Sequence, residues 1–207
     1  MAAAEQVLGE EHPWTLTSIN NLASLYQAQG HYGDAEPLYR RVLAASGPIL
    51  GNDHPRTLAS VNNLAVLYQA QNYFGEAEPL FRRALAASER VFGETHPDTV
   101  AVQLNLGVLL IQEQRIDDAA STLRTLDERL RWLVSQELAS TEQESVRLQR
   151  LAAESRLQNT VITLAVAHPN HADSQGLAAD VLLRWKRLAA DEEATIARLT
   201  RTSKDPR

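Results

Sequence analysis

The chain has 207 residues, of which 44% are hydrophobic and 5% aromatic, with a formal net charge of −6 and no cysteine. Disulfide bonds, thiolate zinc sites and a cysteine nucleophile are therefore excluded within it, and the acidic balance gives no clustered basic face for nucleic acid. Helix-favouring residues dominate, so the composition predicts a single all-α protein with enough apolar residues for a core.

The first residues, MAAAEQVLGEEHP, lack the basic segment and the long apolar core of a signal peptide. The most apolar run, Val100–Ile111, is too short and too interrupted to span a bilayer. We therefore expect a cytoplasmic chain without membrane contact. Residues 2–13 also match residues 86–97, which predicts that residues 1–11 are the end of an earlier repeat.

A period of 42 residues organises the chain up to about residue 134. Self-similarity at such a period indicates a solenoid, in which each unit buries its apolar face against the next. We predict repeats at about 12–53, 54–95 and 96–134. The positions that coincide include Gly9, Gly51 and Gly93; His12, His54 and His96; Leu22, Leu64 and Leu106; Ala35, Ala77 and Ala119.

Two helices are predicted in each repeat, because apolar residues follow helical spacing on both sides of the breaks QGHYGD and QNYFGE. The first helix begins at a His-Pro step, where proline suits the first helical turn. One histidine per repeat spaces these side chains about a repeat apart, so helix entry explains them better than a metal site. We expect no metal and no cofactor.

The repeats resemble tetratricopeptide repeats, with eight residues more than the usual 34. Small residues occupy the close-packing positions of that family (Ala23, Ala65 and Gly107), tyrosines its packing positions (Tyr26 and Tyr68), and Gly30 its turn position. The phrases NNLA-LYQAQ and AEPL-RRAL, with a terminal G-DHP, resemble the kinesin light chain type specifically. The resemblance implies a right-handed superhelical solenoid of helix-turn-helix units.

Asparagine recurs in the middle of each first helix, and other polar residues lie one or two turns along the same face. An amide left dry and unpaired costs roughly 1–3 kcal/mol, so these side chains are expected to be wet, paired or ready for a ligand. Amides also supply the donor and the acceptor that an extended peptide requires. The candidate groove residues are Asn20, Asn21, Ser24, Gln27, Asn62, Asn63, Gln69 and Asn105.

In kinesin light chain-like repeats the corresponding asparagines line the cargo-peptide groove, so the resemblance implies the same role here. The alternative is that one asparagine of each pair only forms hydrogen bonds between adjacent repeats. The first helices carry almost no Lys or Arg, which favours an internal peptide segment over a C-terminal carboxylate. The third copy departs from the pattern, since Leu104 replaces its first asparagine.

Paired arginines follow a glutamate at helical spacing on each second helix, which predicts solvated ion pairs of little energetic weight. Arg40 and Arg41 follow Glu36 in one repeat, and Arg82 and Arg83 follow Glu78 in the next. An alternative is that one arginine of each pair faces a ligand.

Beyond residue 135 the period stops while helical patterning continues. A long helix is predicted from an N-cap at Ser140 or Thr141 to about Ala167, a surface loop at HPNH, and another helix from Gln175 to about Thr202. We interpret Trp132 and Trp185 as packing anchors of this region.

Residues 135–207 resemble the helical connector of bacterial proteins that join such repeats to a CHAT domain, a caspase-like protease fold. The segment of the form A-D-LLR-K-R, followed by TSKDPR, carries the likeness. It implies a sensing or recruiting arm of a protease that continues past Arg207, with no catalytic residue in this chain. The alternative is a stand-alone scaffold or cargo adaptor, and an enzyme in its own right is the least favoured class.

Overall fold

A computed structural model describes residues 8–137, 144–184 and 186, without the side chains of 132–137 and 144–151. Helices account for the regular structure of these described residues, in agreement with the all-α prediction. They are α1 (Pro13–Ala28), α2 (Tyr32–Leu50), α3 (Pro55–Ala70), α4 (Phe74–Phe92), α5 (Pro97–Gln112), α6 (Ile116–Glu137), α7 (Glu144–Ala167) and α8 (172–184).

The first six helices form three stacked pairs, one pair per repeat, and each second helix also packs against the first helix of the next repeat. This arrangement confirms a tetratricopeptide-repeat-type solenoid. A large apolar core runs through the stack, because each helix turns apolar residues toward the next layer, and a smaller cluster of Leu16, Ile19 and Val42 lies in the first repeat. The same core continues into the last two helices through Leu157, Val161, Leu164, Leu177 and Val181.

Histidine caps the start of every first helix. The Nδ1 atoms of His12, His54 and His96 accept hydrogen bonds from the backbone N–H two residues later, each at 3.2 Å. Proline follows as the first helical residue, where no N–H partner is needed. The His-Pro steps are therefore helix entries, as predicted.

At the end of each first helix, one residue has a left-handed backbone conformation, at the same position in all three repeats. Gly30, Asn72 and Gln114 have φ values of 77°, 61° and 60°. The following N–H then bonds back to the carbonyl five residues earlier, for example Arg115 N–H to Leu110 O at 2.9 Å. Glycine adopts this conformation without strain, whereas a β-carbon makes it costly.

Helices α7 and α8 form a hairpin that packs on the last repeat. The structure places the end of α7 at Ala167, as predicted, but α8 begins at residue 172, so the predicted start at Gln175 was three residues late. The reason is a fourth histidine cap, since His171 Nδ1 accepts from Ser174 N–H at 3.3 Å and His171 O from Gln175 N–H at 3.1 Å.

A buried carboxylate holds this hairpin to the array. Asp127 of α6 is 1% exposed, and it accepts a 2.7 Å hydrogen bond from Arg131 Nε and pairs with the guanidinium of Arg184 on α8. The predicted N-cap at Ser140 or Thr141, the side chain of Trp132, and Trp185 lie outside the described residues. In the part of the chain that is described, no helix has the length and apolarity needed to cross a bilayer.

Replacing Gln114 by glycine is predicted to stabilise the protein. A residue with a β-carbon is strained at φ 60°, whereas glycine, which occupies the equivalent position in the first repeat, is not. The free energy of unfolding should therefore rise by about 0.5–1 kcal/mol. Urea denaturation measures the change. The control Ala86→Gly, in the exposed interior of α4, should lower stability by about 1 kcal/mol, and an equal loss for Gln114→Gly would contradict the account.

Candidate functional site

The asparagines of successive first helices form hydrogen bonds with one another. Asn63 Nδ2 donates to Asn20 Oδ1 at 3.3 Å, and Asn105 Nδ2 donates to Asn62 Oδ1 at 3.2 Å. We call these four residues, together with Asn21, the amide ladder, and each inter-repeat hydrogen bond a rung. The ladder lies on one face of the stacked first helices and is half-buried except at Asn21, which is exposed.

The rungs explain why asparagine occurs in pairs. Sequence identity repeats every 42 residues, but each rung joins residues 43 apart, because the closest neighbour on the next helix is one position further along. In the second repeat Asn63 therefore reaches back to the first repeat while Asn62 accepts from the third. Asn21 occupies the back-reaching position of α1, the first helix of the described stack, and so remains on the surface.

Helix α7 packs beside the last asparagine of the amide ladder, in the third repeat. Leu104 stands where an accepting asparagine would be and is 1% exposed, within the core that α5 shares with α7. Beside it, Arg156 Nη2 of α7 donates to Asn105 Oδ1 at 3.3 Å. Sequence reasoning missed Arg156 because nothing in the 42-residue period points to a residue of a later helix.

The other three candidate residues are hydrogen-bonded within the protein. Ser24 Oγ lies 2.9 Å from the hydroxyl of Tyr39, which donates to Gln27 Oε1 at 2.9 Å. Burial raises the pKa of Tyr39, so this phenol stays protonated and can donate at neutral pH. Gln69 is 9% exposed and donates through Nε2 to Gln112 Oε1 at 2.8 Å, again 43 residues later.

Three clefts open along the ladder face. The first cleft, about 150 Å³, is lined by Asn20, and the second, about 210 Å³, by Asn62 and Asn63. Most residues of the second cleft are the 42-residue copies of those in the first. The third cleft, about 380 Å³, brings Ser24 and Gln27 together with Asn63. Five of the eight candidate residues thus line three neighbouring clefts.

The predicted ion pairs on the second helices are present, at 2.8 Å for Glu36 with Arg40 and 2.7 Å for Glu78 with Arg82. The carboxylates also reach the following repeat, a contact that the spacing did not predict. Glu36 accepts from the Tyr68 hydroxyl at 2.9 Å, and Glu78 pairs with Arg115 at 2.8 Å.

These contacts determine the ionisation of both carboxyls. The hydrogen bond from Arg40 lowers the pKa of Glu36 against the opposing effect of burial. Burial raises the pKa of Glu78, but hydrogen bonds from Arg82 and Arg115 outweigh it and leave this pKa below its ordinary value. Both glutamates are therefore charged links between repeats at neutral pH.

Among the described residues, no three His, Asp or Glu side chains are grouped closely enough to hold a metal ion. The histidine of the α7–α8 turn instead faces a carboxylate, with His171 Nε2 at 3.0 Å from Asp117 Oδ1. The arrangement as a whole offers amide donors and acceptors beside small clefts, which suits recognition of a polar chain.

Comparisons with known proteins agree with this architecture. Residues 15–56 and 57–98 match one tetratricopeptide repeat family and residues 100–125 match another, which together cover more than half of the chain. No curated protein matches.

Among solved structures, a Podosopora anserina protein described as a kinesin light chain with nearly identical TPR-like repeats is 26% identical, with a TM-score of 0.67 over 90% of this chain and 82% of that one. A single-residue variant is 24% identical, with a TM-score of 0.68 over 91% and 83%. BtubC (BKLC) from P. vanneervenii is 23% identical, with a TM-score of 0.65 over 86% and 65%.

Replacing Asn63 by leucine is predicted to destabilise the stack. Leucine can neither donate nor accept a hydrogen bond, so the rung is lost and the half-buried Asn20 amide loses its partner, which should cost about 1–2 kcal/mol. The matched control is Asn21→Leu, at the same position one repeat earlier but without a rung, and it should cost less. Urea denaturation compares the two, and equal losses would show that the rung contributes nothing.

Proposed function

Since the chain belongs to the tetratricopeptide-repeat proteins, we propose that it is a non-catalytic interaction module that binds an extended protein segment along the amide ladder. The observation that carries this proposal is the ladder itself, a continuous row of amides bordered by three clefts. Tetratricopeptide repeats are typically interaction modules, and this face combines amide donors and acceptors with clefts that can receive side chains.

The rungs leave hydrogen-bonding capacity on the ladder. Each Nδ2 carries two hydrogens and each Oδ1 two lone pairs. A rung therefore leaves one hydrogen of the donating Nδ2 and one lone pair of the accepting Oδ1 available. Asn21 is exposed and lies next to a residue of the first cleft, Asn20. A peptide backbone presents N–H and C=O groups in alternation, and the clefts can receive its side chains.

An internal segment suits this face better than a chain terminus. Helices α1 and α5 contain no Lys or Arg, and α3 carries only Arg56. Arg156 brings a further guanidinium to the third repeat, where it is hydrogen-bonded to Asn105. Two isolated cations at different repeats do not form the converging clamp that a terminal carboxylate favours.

In a finer form of the proposal, the chain works in the cytoplasm as the sensing or recruiting arm of a CHAT-type protease, with residues 1–134 as the array and 135–207 as the connector. The resemblance of the sequence of residues 135–207 to the connector of CHAT-domain proteins supports this assignment. Helix α6 runs unbroken across residue 134, and α7 and α8 share the core of the array. Such packing would let a ligand on the ladder influence whatever follows the connector. The competing proposal is a stand-alone scaffold or cargo adaptor.

Sequencing the gene past Arg207 tests the finer assignment. The protease-arm proposal predicts that the reading frame continues into a domain with a His and Cys dyad, because the connector resembles the segment that precedes such a domain. A stop codon directly after Arg207 would contradict it and leave the scaffold or adaptor proposal.

A blocking substitution tests the binding proposal. Wild-type protein is predicted to enrich specific sequences from a phage-displayed library of random twelve-residue peptides. Asn21→Arg should weaken binding of the enriched peptides at least tenfold by fluorescence polarisation, because a long side chain would occupy the ladder face. Arginine is a good helix former, so the fold should persist.

The matched control is Ala86→Arg, which places the same side chain on the exposed surface of α4. It should bind the enriched peptides like the wild type. A library that yields no enriched sequence, or equal binding by Asn21→Arg, would overturn the proposed function.

A further inference from the structure

The first and second clefts are copies of each other with one informative difference. Each has a wall of apolar residues and is bordered by the first turn of the next repeat's first helix. That turn contributes Arg56 to the first cleft and Asp98 to the second. Equivalent positions of the groove therefore carry opposite charges.

The positive charge of Arg56 is unfavourable in the first turn of α3, so the helix itself does not explain it. The N-terminal turn of a helix has a positive electrostatic potential, so a cation there is unfavourable and an anion such as Asp98 favourable. The guanidinium of Arg56 lies 5.9 Å from the ring centre of Trp14, which is 65% exposed. A cation is thus held beside an exposed aromatic ring at the entrance of the first cleft.

Both charges face solvent and are accessible to a ligand. Arg56 is exposed, and the Asp98 side chain is 71% exposed, with its carboxylate 3.8 Å from His96 Nδ1. The apolar residues behind the charges include Leu16 and Val42 in the first cleft and Phe92 in the second. Such a pocket fits a side chain with an aliphatic stem and a charged end.

We propose that the segment bound by the ladder is dipolar, with an acidic side chain in the first cleft against Arg56 and a basic side chain in the second against Asp98. This inference rests on the proposed function and specifies its ligand. Because a rung joins α1 to α3 directly, their axes are about 8–10 Å apart, and an extended chain advances about 3.3 Å per residue. The two charged residues should therefore be about three positions apart.

Opposite charges at the two clefts would select partners more than they tighten binding. Exposed ion pairs contribute little individually, so reversing one charge of the groove should change the affinity for a matched peptide about three- to tenfold. A peptide that places a like charge in each cleft should lose more affinity than this, because both of its charges are repelled.

Peptide selection on charge-reversed proteins tests this proposal. From the random twelve-residue library, wild type is expected to enrich peptides with one acidic and one basic residue about three positions apart. Asp98→Arg should enrich peptides with two acidic residues at that spacing, and Arg56→Asp peptides with two basic residues. These outcomes do not depend on the direction in which the peptide runs.

The control Arg83→Asp reverses an exposed charge on α4, away from these clefts, and should keep the wild-type preference. Helical circular dichroism shows that each variant is folded. If wild type enriches no peptide, the proposed function itself fails. If wild type enriches peptides without the charge pair, or the two groove variants keep the wild-type preference, only the dipolar ligand is overturned.

Discussion

The hydrogen bond between asparagines of successive first helices is the interaction on which the recognition face depends. Asparagine is a poor helix former, and a half-buried amide without a partner is costly, so each repeat must supply the partner for its neighbour. Asn63 meets this need by donating to Asn20, and Asn105 by donating to Asn62. The resulting rungs align neighbouring first helices in one register.

Other polar side chains also form hydrogen bonds or ion pairs between neighbouring repeats. Gln69 donates to Gln112, and the carboxylates of Glu36 and Glu78 reach Tyr68 and Arg115 of the following repeat. Burial of apolar side chains in the continuous core supplies most of the stability, because it is proportional to area and not directional. The hydrogen bonds add direction, so they specify one alignment of the repeats and therefore one groove.

Much of this architecture could be predicted from the sequence, because the relevant forces are local. The His-Pro steps and the break at Gly30 are decided within one turn of helix, and the 42-residue period locates the helices of all three repeats. The 43-residue offset of the rungs could not be predicted, since it depends on how neighbouring helices slide. Tyr39 and Arg156 were missed for the same reason, because both act across helices rather than along the repeated sequence.

The central claim is that the amide ladder forms hydrogen bonds with the backbone of a bound segment. A crystal structure of the protein with a library-selected peptide tests it most directly. The account predicts an extended peptide that contacts Asn21 and Asn63 through its backbone and places side chains in the first and second clefts. A peptide bound to the second helices, or one that leaves these amides untouched, would contradict it.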